Sequence, residues 1–353
     1  MKRHICIVVG ARPNFVKVAP LVQAIRRSEG ADCLVVYAGR RGDPSLEPSL
    51  FSDLQMAPPD YCLGVESNSL NEITSRVMAE FDRFLDVHPA DVVIVVDDLA
   101  STMAAAIVAK KRGLRLGHLV AGTRSFDITM PKEINRLVID ALSDYLFTAG
   151  VRSTGVATRE QAETSQTYMV GNILMDTLRS NHNRWRRPEG LADLEEGRYL
   201  VFTLNRRALI GDPSRLLPML QTIARAAGSL PVVAPLRGEA RRVVEESGAG
   251  LRVVSALGYL EFGWLTAHAL GIITDSGNVA EEATFNGVPC ITLNSYTEHH
   301  ETVAVGSNVL VGEDPVRLGE ALSRMVRGEW KKSALPDRWD GRSAERILQI
   351  LLQ

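Results

Sequence analysis

The sequence predicts an α/β protein made of two doubly wound, Rossmann-like parallel sheets with a cleft between them. Three observations carry this. The chain has 353 residues, about two domains at roughly 150 residues each. Short apolar, β-branched runs alternate with longer amphipathic stretches, the signature of strand–helix–strand units in a sheet covered on both faces. The pattern then restarts after a polar segment at 184–197, RWRRPEGLADLEEG, which reads as a linker.

In the first half the strands fall at 5–9, 34–37, 92–96, 115–119 and 145–148, each a β-branched or aromatic run. Amphipathic helices fit between them at 16–26, 70–84, 102–111 and 133–142. The first strand, His4-Ile5-Cys6-Ile7-Val8-Val9, is too short for a signal peptide or a membrane span and ends in a glycine turn. The second half repeats the scheme, with strands at 199–203, 231–234, 252–254, 271–274 and 290–293. Its helices lie at 213–226, 240–246, 259–267 and 279–285, and a last helix covers 343–352. The expected domains are therefore 1–170, 171–340 and a terminal helical piece at 341–353.

Composition narrows the function classes. Apolar residues make up 45% and charged residues 23%, which excludes a disordered, collagen-like or disulfide-scaffold chain. A net charge of −2 leaves no electrostatic footprint for nucleic acid or an anionic membrane. Cys6, Cys33, Cys62 and Cys290 stand far apart, with no C-x-x-C pair and no matching histidines. Structural zinc is not expected, and a reducing cytoplasm is.

In open parallel sheets ligands bind outside the carboxyl ends of the strands, so the turns after strands are the places to search. Gly10-Ala11-Arg12-Pro13-Asn14-Phe15-Val16-Lys17 feeds a helix N-terminus and adds two cations, an anion-binding arrangement. Asp97 and Asp98 end a buried strand, one expected to cap the next helix or stay solvated and the other to face the cleft. The stretch from His118 to Arg136 carries an unusual density of polar residues at 124, 127, 133, 135 and 136. Thr274-Asp275-Ser276-Gly277-Asn278 joins a strand to a helix, a phosphate cradle of backbone amides, and Glu282 lies one and a half turns in. A solvated helix face is the plain alternative for Glu281 and Glu282.

Together these motifs resemble the non-hydrolysing UDP-N-acetylglucosamine 2-epimerases. The resemblance covers nearly the whole chain: GARPNFVKVAPL, the Asp98 turn with STMAAAIVAKK, the segment from Gly117 to Arg136, GNILMDTL, and TDSGNVAEEA with GVPCITL. It implies a GT-B-like fold, UDP held between the domains, a C-terminal helix that packs back on the first domain, and a homodimer. It implies inversion at C2 of a UDP-HexNAc by elimination and re-addition of UDP, with no cofactor or metal. Arg12 and Lys17 then belong near the diphosphate, Ser276 and Gly277 supply amides, and Glu282 holds the ribose. Arg124, Asn135, Arg136, Arg206, Arg237, Phe262 and Asn278 complete the binding set. Asp98 is the catalytic carboxylate, with Glu133 and Asp97 as further candidates.

The chain also departs from the family pattern. Val120 stands for a catalytic Glu, Lys132 for the first Glu of Pro-Glu-Glu, and Asn205 for the His of Thr-x-His-Arg. Asp97 replaces a glycine, Arg40-Arg41 a Gln-His pair, and 294–301 (NSYTEHHE) a segment of the form R-x-x-T-E-R-P-E. Losing one positioned acid or base costs ~10²–10⁴ in rate, and here two carboxylates and a histidine are absent. Two other readings stay open at this point. One is a relative that cleaves or transfers the sugar of a UDP-sugar, which needs no base at C2. The other is a non-catalytic nucleotide-sugar binder.

Overall fold

The structure is a computed structural model that describes residues 2–161 and 165–353. It divides into two compact units: the chain up to Asn181 together with Asp337–Gln353, and His182–Pro336. The first unit runs β1 (Arg3–Val9), α1 (Arg12–Arg27), β2 (Ala31–Tyr37), α2 (Pro48–Asp53), β3 (Tyr61–Cys62), α3 (Leu70–Val87), β4 (Val92–Val96) and α4 (Ala100–Lys111). It continues through β5 (Arg115–Ala121), α5 (Pro131–Leu142), β6 (Tyr145–Thr148), α6 (Val151–Gln161), β7 (Gln166–Met169) and α7 (Ile173–Asn181). Its seven strands are parallel in the order β3-β2-β1-β4-β5-β6-β7. Ile5–Val9 and Val92–Val96 are buried throughout, as central strands covered on both faces must be.

The second unit holds β8 (Leu200–Phe202), α8 (Arg207–Ile210), α9 (Pro213–Ala227), β9 (Val232–Leu236), α10 (Gly238–Glu246), β10 (Arg252–Ser255) and α11 (Tyr259–Ala267). Then follow β11 (Gly271–Thr274), α12 (Gly277–Asn286), β12 (Cys290–Thr292), α13 (His300–Ala304), β13 (Asn308–Leu310) and α14 (Pro315–Val326). Its six parallel strands run β10-β9-β8-β11-β12-β13. In each sheet the order reverses between two central strands, β1 and β4 in one, β8 and β11 in the other. Those switch points are where turns of opposite direction diverge and leave room for a ligand.

The expected strands and helices are all present, with ends shifted by a few residues. The short edge strands β3, β7 and β13 were not expected, because two to four residues without a long apolar run carry little signal. Helices α6, α7 and α14 were not expected either. For α14 the signal exists: Asp314 accepts the amides of Val316 and Arg317 ahead of Pro315 at the helix start.

Two boundary expectations are corrected. The segment 184–197 is not a linker. Trp185 lies against Gly263, Arg187 stacks 4.5 Å from the Trp264 ring, and Leu191 and Leu194 enter the second unit's core. The chain passes between units at Asn181 and Pro336 rather than at 170 and 340, because α7 packs on α1, with Thr177 Oγ1 donating to the Val16 carbonyl at 2.6 Å. The terminal helix α15 (Ser343–Leu351) packs on α1 and α7 in the first unit. Its N-terminal amides at Ser343 and Ala344 donate to the buried Asp176 carboxylate at 3.1 and 2.8 Å.

Candidate functional site

In the first unit the carboxyl ends of β1, β4 and β5 carry the polar cluster. The turn after β1 is tight: a Cβ on Gly10 would sit 2.2 Å from Ser101 Oγ. Asn14 closes the start of α1, its Oδ1 accepting the amides of Gly10 and Ala11 at 3.0 and 3.2 Å. Neither acid after β4 caps α4, contrary to expectation. The N-cap of that helix is Leu99, whose amide donates to Thr102 Oγ1.

Asp97 instead reaches toward α1. It accepts from Lys17 Nζ at 2.5 Å and from Asn14 Nδ2 at 2.8 Å. Burial pushes its carboxyl up, but Lys17, His118 and Asn14 together hold it below the usual carboxylate range. Asp98, 8% exposed, turns to α5. Arg136 donates to its Oδ2 from Nε and Nη2 at 2.9 and 2.5 Å, Asn135 donates to its backbone carbonyl, and Lys132 Nζ lies 3.7 Å from Oδ1.

Glu133 is buried and fully engaged. It accepts from the amides of Ser125 and Phe126, from Ser125 Oγ and from Arg136. Burial raises its carboxyl, and these donors together bring it below the ordinary range. Its geometry is that of a clamp on the loop before α5. Beneath it, His118 Nδ1 faces Asp140 Oδ1 at 2.5 Å and Nε2 faces the Asp97 carbonyl at 2.9 Å. Both ring nitrogens therefore meet acceptors. Arg124 Nη1 lies 2.7 Å from Asp140 Oδ2, and its other nitrogens bond Glu160. Burial raises Asp140, and His118 and Arg124 pull it back below the normal range.

Val120 interrupts the β5–β6 register as a bulge and takes φ +70°, a left-handed backbone that a β-branched residue adopts only under strain.

In the second unit the corresponding turns follow β8 and β11. Asp275 Oδ2 accepts the amides of Asn205 and Arg206 at 2.7 and 2.6 Å, tying one turn to the other. Its Oδ1 is buried without a hydrogen-bond partner among the described residues. Ser276 caps α12 by accepting from Val279. The next position is closely packed: a Cβ on Gly277 would sit 2.7 Å from the edge of the His299 ring, which would have to shift. His299 Nδ1 pairs with Glu281 Oε1 at 2.7 Å. Glu281 and Glu282 are buried at 3% and 9% exposure, so the solvated-face alternative is overturned. Burial, then the neighbouring Glu281, push the Glu282 carboxyl up to about 8.

The first unit thus offers carboxylates and cations at a strand switch point, and the second offers backbone amides at a helix start. Residues 23–352 match the family described as UDP-N-acetylglucosamine 2-epimerase. The chain belongs to that family. It is 30% identical to a UDP-N-acetylglucosamine 2-epimerase of Methanocaldococcus jannaschii, over 98% of both chains. It is 33% identical to a UDP-2,3-diacetamido-2,3-dideoxy-D-glucuronate 2-epimerase of Pseudomonas aeruginosa, over 87% of this chain and 88% of that one. Its structure matches the crystal structure of the M. jannaschii UDP-GlcNAc 2-epimerase in complex with UDP-GlcNAc and UDP, with a TM-score of 0.86 over 99% of each chain. The two parallel-sheet units are those of the GT-B-like fold of the family.

Within this epimerase-family fold, the sequence-derived site residues fall into three groups. Asp97, Asp98, Lys17, Glu133, Asn135 and Arg136 converge at the first unit's switch point, and Ser276, Gly277 and Asn278 form the start of α12, with Glu282 buried further along that helix. Arg124 is drawn inward to Asp140 and Glu160, and its side chain is 1% exposed. Arg12 pairs with Glu47 at 2.8 Å. Arg206 is held by Glu313 and Asn294, Arg237 is exposed at the end of β9, and Phe262 packs partly buried on the second core.

Asp140 and the Glu281–His299 pair were missed. For Asp140 a signal existed: Glu133, Arg136 and Asp140 are spaced by three and four residues, one face of a helix.

Proposed function

We propose that this chain is a UDP-sugar 2-epimerase, inverting C2 of a UDP-HexNAc through elimination and re-addition of UDP. The observation that carries the reading is the likeness to the M. jannaschii enzyme over 99% of both chains, a structure holding UDP-GlcNAc and UDP. UDP lies with its diphosphate on the α12 amides at Ser276 and Gly277, where the helix dipole favours an anion. The Glu282 carboxyl holds the ribose. Asn278, Arg206, Arg237 and Phe262 belong to the same nucleotide side, and Arg12 belongs near the diphosphate, whereas Arg124, buried against Asp140 and Glu160, is a structural residue.

Asp98 is the acid/base at C2. Asp97 and Glu133 are each engaged by cations and amide or hydroxyl donors, whereas Asp98 Oδ1 looks toward the more exposed Lys132. The C2 proton passes to Asp98 as the C1–O bond breaks, leaving a glycal and UDP. Re-addition delivers a proton to C2 from the other face and re-forms the bond at C1. A cytoplasmic homodimer with one nucleotide-sugar site per chain completes the reading, Arg40 and Arg41 replacing the neutral pair of a second pocket.

The test is proton NMR of UDP-GlcNAc and related UDP-sugars incubated with the protein in D₂O. Deuterium at C2 is expected. Release of UDP without exchange would overturn epimerisation in favour of hydrolysis or transfer, and neither signal would leave a binder. Asp98→Asn abolishes exchange and leaves UDP binding nearly unchanged. Glu282→Ala weakens calorimetric UDP binding by roughly 1–3 kcal/mol.

A further inference from the structure

The turn after β4 places a carboxylate where the family resemblance calls for glycine. Asp97 holds φ +59°, a left-handed backbone that glycine adopts freely and aspartate tolerates. That conformation swings its side chain over the start of α1. There Lys17 Nζ donates to Oδ1 at 2.5 Å and Asn14 Nδ2 to Oδ2 at 2.8 Å. Lys17 is only 5% exposed, so its ammonium meets this carboxylate inside the protein rather than in solvent. The backbone of Asp97 is fixed as well, its carbonyl bonded by the buried His118 ring at 2.9 Å and its amide donating to the Leu119 carbonyl at 3.3 Å. The anion that a glycine turn and a lysine would draw from outside is supplied here by the chain.

We propose that Asp97 is a built-in surrogate anion that engages Lys17 and so sets how strongly the first unit attracts a diphosphate. The inference rests on the reading of the site as a UDP-sugar site. With glycine at this position Lys17 carries its charge to the ligand. With Asp97 in place the pair is neutral. The residue therefore tunes the preference between nucleotides that carry a diphosphate and nucleosides that do not. It acts on affinity through Lys17 and takes no part in proton transfer.

The experiment is calorimetric titration of the full chain with UDP, uridine and inorganic pyrophosphate. Asp97→Asn keeps the shape and Asp97→Gly relieves the left-handed backbone, so the two variants remove the charge by independent routes. Both variants should bind UDP at least about tenfold more tightly than the unmodified chain, since a charge-assisted contact to phosphate is restored. Uridine affinity should stay the same, and the gain should vanish when Lys17→Met is added. Unchanged or weaker binding of both UDP and pyrophosphate in both variants overturns the proposal.

The outcomes separate it from the underlying reading. If UDP binds the unmodified chain and Glu282→Ala weakens it while Asp97 variants change nothing, the UDP reading stands and the surrogate anion falls. If only pyrophosphate binds, and binds the Asp97 variants more tightly, the surrogate anion stands and the UDP reading falls. If no probe binds any variant, both fall.

Discussion

The two switch points of this molecule solve the same problem in different materials. In the first unit, side-chain charges at the ends of β1, β4 and β5 are paired with opposite charges of the same chain: Lys17 with Asp97, Arg136 with Asp98 and Glu133, and Arg124 with Asp140. In the second unit, the site is backbone: the α12 start capped by Ser276, Gly277 under the His299 ring, and a buried Glu282 with a raised carboxyl. A backbone cradle persists as long as the turn and helix fold, whereas a side-chain cluster is rewritten by single substitutions. Of the departures that the resemblance implies, Asp97 is drawn into an internal ion pair and Val120 into a left-handed backbone in the first unit, whereas Asn205 and residues 294–301 lie in the second.

The largest expected effect tests whether the first unit's charges are structural. Asp140→Asn leaves His118 and Arg124 buried without their carboxylate and should cost about 3–5 kcal/mol of stability in urea denaturation. A loss below about 1 kcal/mol would break the contrast between the units.

Next is Glu282, whose carboxyl is raised to about 8. A raised acid binds its proton more tightly folded than unfolded. Its contribution is therefore complete below the unfolded value near 4.5 and is lost as pH rises through about 8. Between pH 5 and 8 the unmodified chain should lose roughly 2–4 kcal/mol relative to Glu282→Gln. Parallel stability curves for the two proteins would show that this carboxyl is solvated.

Asp176, raised to about 6 mainly by burial, sharpens the comparison at the C-terminal helix. Asp176→Ala removes the acceptor for the first amides of α15 and should cost about 1–2 kcal/mol, read as faster hydrogen exchange across Ser343–Leu351. By the same linkage its own favourable term is greatest in acid and fades as pH rises from about 4 through 6.

The smallest effect belongs to Arg12→Ala. Its partly exposed pair with Glu47 is worth less than about 1 kcal/mol, so unfolding should be nearly unchanged.

Helix α5 shows how far the sequence is legible and where it stops. Its start at Pro131 and its length could be read from the pattern. Its orientation could not. Ile134 and Leu137 are exposed at 48% and 37%, while Glu133, Asn135, Arg136 and Asp140 are buried. Ile139 stays in the core, but Ile134 and Leu137 are turned outward, because a polar stripe with three charges found partners at the strand ends. The segment 184–197 gives the same lesson: polar composition reads as a linker, yet its tryptophan and leucines are anchored in the second core.

The sequence by itself determined the two parallel sheets, the turns at which they switch direction, the Ser-Gly-Asn cradle and the family resemblance. All of these depend on contiguous residues: β-branched runs, helix spacing and a glycine turn between strand and helix. Only the tertiary structure decided which charge meets which. Asp97 joins Lys17 across 80 residues and Arg124 joins Glu160 across 36, distances in the chain that no local pattern encodes. An ion pair depends on separations of about 3 Å in a low-dielectric interior, so the fold must close before the chemistry of its carboxylates is defined.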